Sequence, residues 1–189
     1  MKKICILASG DGSNTENIIK YFKDNENIKI AIVASNKLHA RVLNRAKKHN
    51  IESFYFTQAQ LTSGLLLEKL LSIRVDFIVL SGFLLKIPQL IISEFHNKII
   101  NIHPSLLPLY GGKGMYGIHV HRAVSESNDT LSGITIHFVN KNYDEGKIIF
   151  QAKCEIKSTD SVKDIIKKVR SLEHKFYPRI IKNIINENN

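Results

Sequence analysis

Lys3-Ile4-Cys5-Ile6-Leu7-Ala8-Ser9-Gly10-Asp11-Gly12-Ser13-Asn14 runs from an unbroken apolar stretch straight into a glycine-bearing turn, and amphipathic spacing begins directly afterwards. A short apolar run with no alternation reads as a strand covered on both faces. From Asn14 to Lys23 the apolar residues Ile18, Ile19 and Phe22 return at helical spacing. Strand, glycine turn and helix in that order open a parallel βαβ unit.

The same rhythm continues outward. Ile28 to Ala34 reads as a second strand, with a helix near His39 to His49. Ser53 to Phe56 reads as a third strand, and Gln60 to Leu71 as one further helix. Asp76 to Ser81 and Lys98 to Ile102 read as strands four and five. Together they predict a doubly wound α/β domain with a mostly parallel, Rossmann-like sheet. Beyond Pro104 the pattern changes. A glycine-rich loop from Gly111 to Gly117 precedes a short helix at Val120 to Ser127. Two strands, Ser132 to Val139 and Lys147 to Ile156, then flank an acidic turn and predict an antiparallel addition to one sheet edge. A long C-terminal helix from about Ser161 carries Val162, Ile165, Ile166, Val169, Leu172 and Phe176 on one face. Pro178 is expected to bend or interrupt it, and Asn186 to Asn189 to fray.

The chain has 189 residues, enough for one domain with a real core. No apolar run approaches the ~20 residues needed to span a bilayer. The apolar start is too short for a secretory signal, so a cytoplasmic protein is expected. Cys5 and Cys154 stand far apart without metal-ligand companions and read as buried reduced thiols. Lysine and arginine number 27 against 17 acidic residues, a formal charge of 27 − 17 = +10. Scattered lysines with no aromatic-interleaved stripe favour a field for small anions over nucleic acid.

Three clusters carry chemistry. In the first turn, Gly12, Ser13 and Asn14 can bring backbone N–H groups against a phosphate at a helix start. The alternative is a tight turn in which Ser13 or Asn14 caps the helix. Thr15 and the Ser35-Asn36-Lys37 run depart from a dinucleotide fingerprint, which disfavours NAD. In Asn101-Ile102-His103-Pro104-Ser105-Leu106-Leu107-Pro108, Asn101 and His103 share one side of a strand end. An amide beside an imidazole is what acyl transfer needs, one holding an oxyanion and the other moving a proton. The third cluster is His137, followed by Asn140 to Gly146 with Asp144, which is either turn chemistry or the partner of an imidazolium.

In this order and at these separations, the clusters resemble the folate-dependent formyltransferase family, and most nearly its branch acting on phosphoribosylglycinamide. The resemblance reaches from the Gly12-Ser13-Asn14 turn to Glu173-His174-Lys175-Phe176-Tyr177-Pro178. It implies transfer of a formyl group from 10-formyltetrahydrofolate, as co-substrate, to that amine in purine biosynthesis. It implies Asn101, His103 and Asp144 as the catalytic trio, with Asp144 keeping His103 charged and His137 supporting Asp144. The phosphate and ribose would meet Gly12, Ser13, Asn14, Arg170 and Glu173. The folate would lie against Leu84, Leu85, Lys86, Ile87, Asn140, Tyr143 and Asp144. No metal is implied, and the His119 and His121 pair reads as structural. Partners are small molecules, with neither nucleic acid nor membrane, and oligomeric state is not specified.

Two departures from the family pattern stand out. Leu85 occupies a place where relatives carry arginine, and the loop from Gly111 to Gly117 exceeds the common length and is expected to act as a mobile flap. Residues 1–100 would form the phosphate-binding half and 101–189 the catalytic and folate-binding half of one domain. A methionyl-tRNA formyltransferase would be expected to continue into an RNA-binding domain, and the related hydrolase to begin with a regulatory one. A sugar-nucleotide amine as acceptor, or a non-catalytic nucleotide- or RNA-binding module, are the alternatives.

Overall fold

In the computed structural model, residues 1–127 and 129–187 are described. The strands are β1 (Lys2–Leu7), β2 (Ile28–Ser35), β3 (Glu52–Tyr55), β4 (Phe77–Leu80), β5 (Ile99–His103), β6 (Leu131–Phe138) and β7 (Ile148–Glu155). They form one sheet in the order β3-β2-β1-β4-β5-β6-β7. The pairs among β1 to β5 are parallel, whereas β6 pairs antiparallel with both β5 and β7. The doubly wound sheet with an antiparallel edge is therefore present as expected.

Alternation within β1 explains why its sequence is apolar throughout. Ile4 and Ile6 enter a core beneath α1 (Ser13–Phe22), α2 (Arg41–Lys48) and α7 (Val162–Glu187), while Cys5 and Leu7 enter the opposite one. That second core is closed by α3 (Gln58–Ser63), α4 (Leu65–Ser72) and α5 (Gln89–Glu94). Each fully buried aliphatic side chain contributes about 1.5–3 kcal/mol through burial. The sheet is thereby anchored on both faces.

Several local expectations are corrected. The helix expected from Gln60 to Leu71 is two helices, because Gly64 between them adopts φ 96°. A Thr57–Gln60 capping box starts the first of the two. α5 has no counterpart in the sequence reading. Pro178 does not interrupt the last helix, since α7 continues through it to Glu187. A proline lacks the N–H that would meet the carbonyl four residues earlier. That carbonyl, on His174, instead accepts from Asn17 Nδ2 at 2.8 Å, so α1 supplies the missing donor. Asn186 and Glu187 belong to this helix, and Asn188 and Asn189 lie outside the described residues. Cys5 is buried as expected, but Cys154 on β7 is only half-buried. Among the described residues no helix is long and apolar enough to cross a membrane.

The strand order reverses between β1 and β4, and ligands of open α/β sheets bind at the carboxyl ends of strands at such a point. Tyr177, fully buried on α7, donates its hydroxyl to the Leu80 carbonyl at 2.8 Å. The long helix is thus pinned over the end of β4, and its face overlooks that switch point.

Candidate active site

A cleft of about 690 Å³ lies at this switch point. It lies within the usual size of a small-molecule site. Its walls come from the loop after β1, the end of β4, the end of β5, the Gly111–Gly117 loop, the Asp144 turn and α7.

The loop after β1 is shaped by close packing. A Cβ on Gly12, at φ 81°, would sit 2.4 Å from Val42 Cγ2, so no larger residue fits. Ser9 ties three strand ends together, donating to Asn36 Oδ1 at 2.6 Å and accepting from the Leu84 N–H at 3.0 Å. α1 starts at Ser13 with Gly12 as its N-cap and no side-chain cap. Ser13 and Asn14 therefore do not cap the helix, and its first N–H groups remain available to an anion. Asp11, which would repel an anion, is held by Arg45 at 2.8 Å and Arg41 at 3.6 Å. Asn14 instead reaches across to α7, donating to Glu173 Oε2 at 2.9 Å. Burial raises the pKa of Glu173, against the lowering effects of Asn14 and Arg170. Arg170, one helical turn away, is exposed at the cleft wall, and among the described residues it has no ion-pair partner.

At the other end β5 and β6 bring the catalytic candidates together. Asn101 lies opposite His137 in the antiparallel register, and the Asn140 to Gly146 turn returns Asp144 over both. Asp144 Oδ2 is 3.5 Å from His103 Nδ1, and its Oδ1 is 3.6 Å from His137 Nε2. Asn101 Nδ2 lies 3.1 Å from His137 Nε2 and 3.5 Å from Asp144 Oδ1. The Gly112 N–H donates to Asp144 Oδ2 at 3.0 Å. Asp144 adopts φ 55°, a left-handed conformation that only a few residue types tolerate and that recurs at functional sites.

Two backbone carbonyls set the imidazole tautomers, because a carbonyl oxygen can only accept. His103 Nε2 lies 2.7 Å from the Tyr110 oxygen and so carries hydrogen, which leaves Nδ1 facing Asp144. His137 Nδ1 lies 2.8 Å from the Phe138 oxygen and so carries hydrogen. In the neutral ring its Nε2 is then free to accept from Asn101. Gly146 lets the Phe138 carbonyl sit there, since a Cβ at that position would fall 1.6 Å from that oxygen.

Burial is the largest influence on His103 and lowers its pKa, with Asp144 and the Tyr110 carbonyl acting in the opposite direction. Asp144 thus acts in the direction expected of it, toward the charged ring, and burial acts against it. Burial pushes the Asp144 carboxyl up, but His137, His103 and the Gly112 N–H outweigh it, and the group titrates below its ordinary value.

Of the residues singled out for the folate, Leu84 and Tyr143 line the cleft with Asp144. Ile87 is buried in the core beneath the sheet, and Leu85 packs against that core. Lys86 lies over the Tyr143 ring at 5.9 Å from its centroid. Asn140 accepts from the Asn142 N–H within its own turn. His137 stands behind Asn101 rather than on the cleft wall. Ser81, His121, Met115 and Tyr116 also stand on that wall: Met115 and Tyr116 within the loop expected to act as a flap, His121 from the pair read as structural, and Ser81 missed by sequence reasoning. A serine as the last residue of a predicted strand at a switch point was the available signal for Ser81.

The geometry defines a class: an amide, an imidazole and a carboxylate around one point, with an anion-ready helix start in the same cleft. Residues 2–181 match the formyl transferase family, to which the chain belongs, and its members are enzymes that move a one-carbon group. Within the family, relatives that match over nearly its full length include phosphoribosylglycinamide formyltransferases. That of Haemophilus influenzae is 39% identical, with 96% of this chain and 86% of the relative covered. That of Bacillus subtilis is 35% identical, with 100% and 97% covered. The chain spans 66% of the length of the chloroplastic relative from Arabidopsis thaliana, at 37% identity over 98% of its own. The crystal structure of phosphoribosylglycinamide formyltransferase from Anaplasma phagocytophilum superposes with a TM-score of 0.89 at 31% identity, covering 98% of this chain and 88% of that one.

Proposed function

We propose that this chain transfers the formyl group of 10-formyltetrahydrofolate to the amine of 5-phosphoribosylglycinamide in purine biosynthesis. One observation carries the reading: Asp144 meets His103 and Asn101 at 3.5 Å each, in the cleft where α1 begins without a side-chain cap. Residues 1–100 supply the Gly12-Ser13-Asn14 turn of the anion end and Leu84 and Lys86 of the folate end, and 101–189 supply the chemical groups together with Arg170 and Glu173.

The phosphate is taken by the N–H groups of the Gly12-Ser13-Asn14 turn and by Arg170. Charge-assisted bonds of this kind contribute about 1.5–3 kcal/mol. Glu173, oriented by Asn14, receives the ribose hydroxyls. The cleft also fits a flat heteroaromatic ring, because Leu84 and Tyr143 keep 41% and 37% of their surface exposed at it. Bound there, the folate supplies the activated formyl group. Lys86 over Tyr143 is placed to meet the carboxylates of its tail, a role the residue at Leu85 cannot fill.

Asn101 turns one N–H from its longer contact, with Asp144, toward the formyl oxygen as negative charge develops there. His103 gains and loses its proton at Nδ1, since Nε2 is committed to Tyr110. Asp144, ionised, stabilises the imidazolium as it forms and, through water, relays the amine's proton to the folate nitrogen, which leaves as its bond to the formyl carbon breaks. His137 holds Asn101 in place. The reaction runs in the cytoplasm on small molecules.

The test is formyl transfer from 10-formyltetrahydrofolate, with 5-phosphoribosylglycinamide, a sugar-nucleotide amine and methionyl-tRNA offered side by side and products read by mass spectrometry. Product is expected from the first amine at a rate far above the others. Preference for a sugar-nucleotide amine, or RNA binding at moderate salt without any transfer, would overturn the assignment.

A further inference from the structure

The carbonyl that fixes the His103 tautomer belongs to a residue in an unfavourable conformation. Tyr110 adopts φ 56°, which costs a residue bearing a Cβ about 1–2 kcal/mol. Something must hold it there. Its hydroxyl donates to Asp129 Oδ2 at 2.5 Å. Such a short bond to a carboxylate is among the stronger hydrogen bonds a protein makes. Asp129 is held in turn, its N–H donating to Ser127 Oγ at 3.3 Å in the connection between α6 (Ile118–Glu126) and β6. The Ser105 hydroxyl donates to the neighbouring Leu109 carbonyl at 2.6 Å, steadying the segment from its other side. Burial, reinforced by Asp129, raises the Tyr110 pKa, so the hydroxyl keeps the proton it donates.

We propose that Asp129 is a positioning residue for the formyl-transfer reaction: through the Tyr110 hydroxyl it holds the Tyr110 carbonyl against His103 and so assigns proton exchange to Nδ1, beside Asp144. Asp129 does not line the cleft, and its hydrogen bond is to Tyr110 rather than to His103. Its effect passes through one side-chain bond and one backbone carbonyl. Without it, Tyr110 relaxes toward negative φ and its carbonyl turns away. His103 then samples both tautomers, and the Nδ1–H form puts its only hydrogen into a contact with Asp144 instead of keeping that nitrogen open to accept. A misassigned tautomer is costly to catalysis even when every catalytic group is present.

The inference rests on the formyl-transfer reading for its kinetic consequence but not for its structural one, and the experiment separates the two. Imidazole ¹⁵N spectra of the full chain, without substrates, are recorded for wild type, Asp129→Asn, Tyr110→Phe and the double variant. His103 is assigned by comparison with His103→Asn. Wild type should show His103 protonated on Nε2 alone, and each single variant a pattern averaged over both tautomers. The double variant should be no worse than either, because both changes break one bond. In the transfer assay the variants should lose roughly tenfold in kcat, with KM for both substrates within about twofold. An unchanged His103 spectrum in both single variants, or an altered spectrum with unchanged kcat, would overturn the proposal. Should wild type transfer formyl to no amine, the functional reading fails, and the spectra alone decide whether Asp129 anchors the tautomer.

Discussion

At the β5–β6 end of the cleft, the side chains of Asn101, His103, His137 and Asp144 all have partners, whereas on the rest of the cleft wall, from α1, the end of β4 and α6, several buried polar atoms have none. Asn14 Oδ1, Ser81 Oγ and His121 Nδ1 lack a hydrogen-bond partner among the protein's described atoms, and all three residues line the cleft. A buried polar atom left unpaired costs about 1–3 kcal/mol. The contrast separates two kinds of preparation. The chemical end is preorganised by the fold, so that little need move when charge develops. The binding end carries unmet hydrogen-bonding capacity that a polar ligand relieves.

The largest effect is expected where the preorganised end is cut at its centre. Asp144→Asn keeps the shape but removes the charge facing His103 and His137 and replaces one of two acceptor oxygens by a donor. Turnover should fall roughly 10³-fold, within the range usual for a lost acid–base group. Circular dichroism should show a folded protein. Near-normal turnover would show that the partnered cluster is structural and reduce the contrast to one of packing.

His121 gives the next largest effect, in stability. Burial, with the positive charges of Arg170 and His103, lowers its pKa from 6.5 to about 4. Between those values the unfolded chain binds a proton that the folded chain refuses. Stability therefore rises with pH across the window and is lost as pH falls from about 6.5 to about 4, by roughly 3 kcal/mol. Urea titrations at several pH values should show that His121→Gln flattens this acid limb. An equally steep limb in the variant would mean that other groups, such as His103 and His174, supply it.

The parallel half of the fold was plainly written in the sequence, because strands buried on both faces leave unbroken apolar runs. The break at Gly64 was not, since the apolar pattern continues across it and only the backbone conformation changes. Nor was the passage of α7 through Pro178, which depends on a donor from Asn17, 157 residues away in sequence. In the site, Asn101 and His103 were legible as neighbours on one strand, and Asp144 through resemblance. Their charge states and tautomers were not. These depend on burial and on carbonyls of Tyr110 and Phe138 that local pattern does not aim.

At the binding end, Arg170→Ala should raise KM for the phosphorylated amine roughly ten- to a hundredfold, the equivalent of one charged hydrogen bond, with kcat nearly unchanged. A fall in kcat with constant KM would instead place Arg170 among the groups that act in the transition state.

The smallest effect is the sharpest test of unmet capacity, because it predicts opposite signs in two assays. Ser81 is 6% exposed, its N–H is satisfied by the Leu7 carbonyl at 2.9 Å, and its hydroxyl lacks a partner. Ser81→Ala removes that buried hydroxyl, so the free protein should melt at the same temperature or slightly higher. Substrate binding, deprived of the same hydroxyl, should weaken roughly two- to tenfold. Thr15 is the matched control. Its Oγ1 is also buried without a partner, but Thr15 does not line the cleft. Thr15→Val should therefore reproduce the stability result and leave KM untouched. If both substitutions shift KM equally, unpaired buried atoms here report general packing, and the distinction between the two ends of the cleft loses its functional meaning.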